Sequence, residues 1–322
     1  MANRIKEKYM AGKRYFDYPM LFLVIFLICF GLVMIYSTSS YKSTVTYGNS
    51  YHWLLRQAVA IVLGAVAMVV CCKLDYRIIK SEKFGNGCYW ASIVLLVLVL
   101  IIGAAKKGAV RWISIAGFQF QPSEVSKILV VIYLANRLSA NAHKIRTFKD
   151  SIVIVLPTVP IIALIVTQNL STALVVCSMI GVMLFVVSPK MKELMLTAGG
   201  GIILLFVYLL TANSYRNERV QIWLHPESHK KGFQTMQALY AIGSGGIFGK
   251  GLGQSMQKMG FIPESHNDMI FSIICEELGL FGAVCLILVF VALIFRMLLI
   301  ALNTEDLFGS LVVIGFMTHI AI

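Results

Sequence analysis

Asp268 closes the string Phe261-Ile-Pro-Glu-Ser-His-Asn-Asp268, where a long polar stretch runs into an apolar block. A carboxylate at the rim of a low-dielectric wall can have its pKa raised towards that of a useful general base, and there it meets water-borne groups and lipid head groups at once. An Asp at a helix start also serves as an N-cap, the commoner role on composition alone. His266, two residues earlier, can orient Asp268, bind a substrate or sit solvated in the loop. Glu276 and Glu277 follow. In a helix that begins at Asp268 they lie about 12 Å below its mouth. Paired carboxylates at that depth need cations or hydrogen-bond donors, or must be protonated. Arg111, Lys127 and Arg219 are the candidate partners, and structural ion pairing is the favoured role.

Glu124 and Lys127 stand at i and i+3 in Gln121-Pro-Ser-Glu-Val-Ser-Lys, with Pro122 at a helix start. That spacing puts both on one helix face, as a packing pair near the interface or as the charged wall of a substrate cavity. Ile242-Gly-Ser-Gly-Gly-Ile-Phe-Gly-Lys-Gly-Leu-Gly-Gln-Ser fails as a P-loop, because Ser244 and Gly251 occupy the positions that need Gly and Ser or Thr. Its glycines suit tight re-entrant packing or a nest for a diphosphate. His225 and His229 flank Pro226 in an open loop, a poor zinc pair.

These groups are carried by an unusually apolar chain. Of 322 residues 58% are hydrophobic and only 13% charged, against roughly 45–50% and 25% in soluble domains. The apolar residues form blocks long enough to span a bilayer, which excludes an ordinary soluble enzyme. The net charge of +13 would suggest nucleic acid in a soluble chain. Here the membrane accounts for it, and no nucleic-acid partner is expected. The seven cysteines lie in or beside apolar blocks without C-x-x-C spacing and read as packing residues.

The expected fold is an all-α polytopic membrane protein. Spans are expected near 19–38, 54–72, 88–105, 122–136, 150–166, 170–187, 193–212, 268–295 and 307–322, nine in all. Residues 1–18 form a basic N-terminus, the first span is uncleaved, and 19–322 make one multi-pass membrane domain. Lys and Arg are more than twice as dense in 1–18, 73–87, 137–149, 188–193 and 296–306 as in the alternate connections. That places the N-terminus in the cytoplasm. The loop 106–121 and the large loop 213–267, before the eighth span, are then extracellular.

Several ordered strings resemble the SEDS family (shape, elongation, division and sporulation), specifically its FtsW branch. They are Gly31-Leu-Val-Met-Ile-Tyr-Ser-Thr-Ser, Lys107-Gly-Ala-Val-Arg-Trp-Ile, Phe120-Gln-Pro-Ser-Glu-Val-Ser-Lys127, Gly249-Lys-Gly-Leu-Gly-Gln-Ser and Gln257-Lys-Met-Gly-Phe-Ile-Pro-Glu-Ser-His-Asn-Asp268, then Glu276-Glu-Leu-Gly. The resemblance implies a peptidoglycan glycosyltransferase that polymerises lipid II at the outer face of the bacterial cytoplasmic membrane, in division or sporulation. It also implies a class B penicillin-binding transpeptidase and other divisome proteins as partners, at the septum. The family's essential aspartate maps onto Asp268, and its paired polar residues onto Glu124 and Lys127.

Three departures stand out. Gln168-Asn-Leu-Ser-Thr172 replaces the family's usual Gln-Pro-Asp-Leu-Gly-Thr; His266-Asn-Asp-Met269 replaces His-Thr-Asp-Phe; and the chain stops at Ile322, within its ninth span, where the family commonly has ten. The expected chemistry is attack by the 4-hydroxyl of lipid II on the anomeric carbon of a glycan held as a lipid diphosphate, with Asp268 taking the proton. Arg111, Lys127 and Arg219, or a divalent cation (Mg or Mn) held partly by Asp268, could stabilise the leaving diphosphate. No organic cofactor is expected. Arg111 and Trp112 are the preferred head-group contacts, and Glu124 and His266 complete the substrate-binding set. The rival readings are a lipid II flippase or transporter, motivated by charges within spans, and a noncatalytic divisome scaffold, motivated by the early end.

Overall fold

The computed structural model describes residues 16–106, 109–115, 118–145, 147–188, 221–222, 224–228 and 232–322. In chain order its helices are α1 Tyr18–Tyr47, α2 His52–Lys73, α3 Tyr76–Ile79, α4 Glu82–Ile102, α5 Pro122–Asn141, α6 Phe148–Val155, α7 Val159–Gln168, α8 Leu170–Val187, α9 Phe233–Ser244, α10 Ile270–Asn303 and α11 Leu307–Ala321. Among the described residues six segments are long and apolar enough to cross a membrane: α1, α2, α4, the run Lys149–Gln168, α8 and α10. α5 and α11 cover the expected spans at 122–136 and 307–322. The expected span at 193–212 lies outside the described residues. The connection 106–121, expected as a loop, carries most of a small antiparallel meander of β1 Ala104–Lys106, β2 Ala109–Ile115 and β3 Phe118–Phe120.

The chain forms two compact units, one of Met1–Ala67 with Glu218–Arg296 and one of Met68–Asn217 with Met297–Ile322. The second unit has the larger apolar core, in which Leu96 of α4, Leu134 and Leu138 of α5, Ile161 and Ile165 of α7, Val176 and Met183 of α8 and Leu311 of α11 are buried together. Small residues set its closest helix contacts. A Cβ on Gly85 would stand 3.1 Å from the Asn136 side chain. Asn136 in turn donates to the carbonyls of Ile79 and Ser81 at 2.7 and 3.3 Å, tying α5 to the turn ahead of α4. At the ends of this unit Lys80 pairs with Asp306 at 2.6 Å, and Thr147 and Asp150 form a capping box that starts α6.

In the first unit α1 begins at an N-cap, where the Asp17 carboxylate accepts from the Met20 N–H at 2.8 Å. The same carboxylate pairs with Arg296 at 2.6 Å. Thirty residues make α1 about 45 Å long, well over the roughly 30 Å of hydrocarbon in a bilayer. Its last third is rich in hydroxyl groups, and Ser37, Thr38, Ser39 and Ser43 are buried. That end leans on the loops of its own unit, as the Ser265 hydroxyl bond to the Thr38 carbonyl at 3.3 Å records. α10 is broken at Gly279, which takes φ 69° and ψ −171°. The glycine-rich loop of this unit packs at that break.

Candidate functional site

A helix interrupted in a membrane must pair its freed backbone groups within the protein. At Gly279 the glycine-rich loop does so. Lys250 and Gly251 donate their N–H groups to the carbonyls of Glu276 and Glu277, each at 2.9 Å. In return Leu280 and Phe281 donate to the carbonyls of Gly246 and Ile247 at 2.9 and 3.0 Å. This exchange needs bare backbones. A Cβ on Gly249, which has φ +77°, would overlap the Glu277 carbonyl, and one on Gly279 would overlap the backbone of Ile247 and Gly249. Of the two uses the glycines allow, the structure adopts re-entrant packing. The N–H groups of Gly249, Lys250 and Gly251 are all donated inside the protein, so they form no anion nest.

The loop also brings the cations that the two deep carboxylates require. Glu276 and Glu277 are both wholly buried. Lys250 Nζ reaches Glu276 at 2.7 Å, and Glu276 also accepts from the Ser255 hydroxyl and from the N–H groups of Met256 and Gln257 at 3.3 and 3.4 Å. Lys258 Nζ reaches Glu277 at 2.7 Å, with the Ser37 hydroxyl at 2.7 Å from the same carboxylate and the Ser255 N–H at 3.4 Å. Structural ion pairing is therefore the role found. The partners nominated from sequence, Arg111, Lys127 and Arg219, give way to Lys250 and Lys258, which lie on the loop that patches the broken helix. Ser37 ties α1 into the same cluster.

Asp268 stands on the turn just ahead of α10, exposed to solvent. It is not the cap that its position suggested. α10 begins at Ile270, whose N–H is taken by the carbonyl of Asn267 at 3.2 Å. The turn is held from behind instead, with the Asn267 N–H on the Glu264 carbonyl at 3.0 Å and Glu264 at φ 56°. His266 is not a solvated loop residue. It is 7% exposed and lies against Trp53 with ring centroids 4.7 Å apart. Burial first, and the Lys42 charge second, push its pKa below the usual histidine value. Among the described residues no three His, Cys, Asp or Glu side chains gather as a metal site. Mg²⁺ is commonly held by one or two carboxylates together with substrate phosphates, and Asp268 is the exposed carboxylate that could contribute one.

In the second unit Lys127 and Glu124 form an ion pair at 2.9 Å, with the lysine side chain 8% exposed and the glutamate 52%. The expected face-sharing pair is thus present, with the cation inside and the carboxylate outside. His319 of α11 lies within electrostatic reach of both. Arg111 and Trp112 lie in β2, with Trp112 half-buried and paired in register with Ala104. The side chain of Arg111, and Arg219 and His229 altogether, lie outside the described residues. His225 contacts Glu227 at 3.4 Å. In the altered motif, Asn169 caps α8 by accepting from the Ser171 N–H at 3.1 Å, and Gln168 donates to the Leu96 carbonyl at 3.2 Å. The helix start survives there without an acidic residue.

Lys250, Lys258, Ser37, Trp53 and Lys42 had no place among the residues singled out from sequence. The available signal is that Gly249-Lys-Gly and Gln257-Lys each carry a lysine on the loop ahead of two deep carboxylates that need cations.

The chain is thus a polytopic helical membrane protein with a glycine loop packed on a broken helix and an exposed carboxylate ahead of it. The family model described as cell cycle protein, of FtsW, RodA and SpoVE type, matches residues 18–322, and the chain belongs to that family. It is 35% identical to the probable peptidoglycan glycosyltransferase FtsW of Geobacter metallireducens, over 95% of this chain and 83% of that protein. It is likewise 35% identical to stage V sporulation protein E of Bacillus subtilis, over 95% and 84%. Among solved structures, a chain from work on the structural coordination of polymerization and crosslinking by a peptidoglycan synthase complex superposes with a TM-score of 0.77. It is 29% identical, with 95% of this chain and 84% of that one covered. The rod shape determining protein RodA of Thermus thermophilus superposes at 0.65, with 26% identity over 94% and 81%.

Proposed function

We propose that this chain is a peptidoglycan glycosyltransferase that polymerises lipid II, with Asp268 as its general base. The relatives named for that activity match nearly the whole chain. The observation that carries the residue assignment is the state of Asp268: exposed, with no cap to form, on a turn fixed by its neighbours' backbone. The acidic residues deeper in α10, Glu276 and Glu277, are wholly buried and engaged by lysines and hydroxyls, out of reach of a substrate hydroxyl.

In the reaction, the 4-hydroxyl of the acceptor sugar forms the new bond to the anomeric carbon of the growing glycan. Asp268 takes the hydroxyl proton as the bond from that carbon to the lipid diphosphate breaks, with inversion. The diphosphate leaves without protonation, which requires cationic stabilisation. On the sequence resemblance alone, Arg111, Lys127 and Arg219 are assigned to it, with Trp112, Glu124 and His266 as further substrate contacts. A bound Mg or Mn would add charge at the diphosphate.

Multiple apolar helices make the chain a multi-pass membrane protein. The basic connections support a cytoplasmic N-terminus and an outer position for Asp268. A septal location and a class B penicillin-binding transpeptidase as partner are proposed on the strength of the relatives' names and of the synthase complex. The charges deep in α10, one feature that motivated a transporter, are engaged in ion pairs with Lys250 and Lys258. The test is polymer formation from lipid II by the purified chain with its transpeptidase in detergent, where no two sides exist. Glycan that a muramidase digests supports the proposal; intact lipid II moved across vesicles, with no polymer in detergent, refutes it.

A further inference from the structure

In the second unit α11 runs antiparallel to α5 and close against it. Asp306, just ahead of α11, pairs with Lys80 at 2.6 Å, between the Ile79 and Ser81 carbonyls that take Asn136 from the far half of α5. Leu311 lies in one core with Leu134 and Leu138. A Cβ on Gly315 would stand 2.6 Å from Val131 Cγ1, so the two helices meet there without room for a side chain. One turn further along α11, and one turn back along α5, stand His319 and Lys127. The register therefore sets the imidazole against the lysine, and His319 feels the charges of both Lys127 and Glu124. His319 Nδ1 is buried without a hydrogen-bond partner among the described residues.

A buried polar atom without a partner calls for an explanation. Lys127 supplies the complement. An ammonium has three donors and no acceptor, whereas a neutral imidazole with its proton on Nε2 offers Nδ1 as an acceptor. Glu124, half-exposed, already takes one donor at 2.9 Å, while the lysine side chain is only 8% exposed. The two acceptors differ in what they leave behind. A carboxylate neutralises the ammonium and competes with any anionic substrate for it, but an imidazole accepts an N–H and leaves the positive charge intact. A departing diphosphate needs that charge. The flexible four-carbon stem of lysine lets the ammonium turn between partners, and the close packing at Gly315 keeps the imidazole on a rigid element.

We propose that His319 is a positioning residue for the transfer reaction: its Nδ1 accepts from the Lys127 ammonium and holds it, still charged, when a diphosphate draws it away from Glu124. This rests on the glycosyltransferase reading and on Lys127 as a diphosphate contact, and it adds a residue that lies outside every motif by which the chain resembles its family. His319 touches neither sugar nor diphosphate. It acts through Lys127, so its effect must vanish when the lysine is absent.

The test is a double-mutant cycle read by binding. The purified full chain is titrated in detergent with undecaprenyl diphosphate and, separately, with undecaprenol, which has the same tail and no charge. His319→Phe, which keeps a ring and loses the acceptor, is expected to weaken undecaprenyl diphosphate binding about tenfold, or about 1.4 kcal/mol, and to leave undecaprenol unaffected. His319→Gln, whose amide oxygen still accepts, should stay within about threefold of the parent and guards against a folding defect in the phenylalanine variant. Lys127→Met is itself expected to lose about tenfold, and adding His319→Phe to it should cost nothing more, because residues that act as a pair are non-additive. A purely structural histidine would lower the binding of both lipids, or act by the same factor with and without Lys127, and either result overturns the proposal. So does a His319→Phe or a Lys127→Met variant that binds undecaprenyl diphosphate as tightly as the parent. A parent that neither binds undecaprenyl diphosphate nor polymerises lipid II overturns the glycosyltransferase reading with it, whereas one that does both but shows additive losses overturns the positioning role alone.

Discussion

Lys258→Met tests the ion-pair cluster beneath the glycine loop. The Lys258 side chain is 5% exposed and Glu277 is wholly buried. Without the lysine, Glu277 retains, among the described residues, the Ser37 hydroxyl and the Ser255 N–H. Breaking a buried pair from one side costs about 3–5 kcal/mol, because the remaining charge is uncompensated. Lys250→Met is the control on the neighbouring carboxylate. Lys250 is 35% exposed, and Glu276 would still accept from Ser255 and two backbone N–H groups. Its loss is expected to be smaller, about 1–3 kcal/mol. Adding Glu277→Gln to Lys258→Met removes the stranded charge, while an amide oxygen still accepts from Ser37. The double variant should recover all but about 1–2 kcal/mol. Thermal unfolding in detergent, followed by loss of the monodisperse peak, gives the order parent, double variant, Lys258→Met. Equal losses for Lys250→Met and Lys258→Met, or a double variant worse than Lys258→Met, would refute the reasoning.

Two further predictions concern the same unit. Gly249→Ala is expected to abolish the folded protein, because its Cβ meets the Glu277 carbonyl; Gly251→Ala, at φ +101° with Gln254 Cγ 3.6 Å away as its nearest neighbour, should cost only the backbone term of about 1–2 kcal/mol. Detergent-solubilised yield and melting temperature separate the two. His266 has a lowered pKa in the folded chain, so the unfolded chain binds its proton first as pH falls. Its contribution is complete above the unfolded value, about 6.5, and is lost as pH drops below it. Melting curves between pH 8 and 5.5 should therefore fall less steeply for His266→Phe than for the parent, and parallel curves would contradict the assignment.

The apolar blocks revealed most of the helices, because spanning segments satisfy their own backbone and advertise themselves by composition. The Glu124–Lys127 pair was legible for a related reason, since an i, i+3 spacing within a helix fixes which side chains meet. The ion-pair cluster was not. Ser37 and Glu277 are 240 residues apart, and no local spacing connects them. The glycine loop was legible as a close-packing element, but not its partner, which became evident only with the break at Gly279. The connection before α5 passed for a loop because its strands are short, two of them three residues each. Asp268 read as a cap from its place ahead of an apolar run. The helix starts two residues later, and that small offset leaves the carboxylate exposed.

The central claim is that Asp268 removes the acceptor's proton. The direct measurement is the rate of glycan formation from lipid II by purified Asp268→Asn, in parallel with a parent protein of matched melting temperature and equal lipid II binding. General-base catalysis contributes about 10²–10⁴-fold. A loss of at least that order with binding retained is expected, and polymer formed at the parent rate would contradict a general-base role for Asp268.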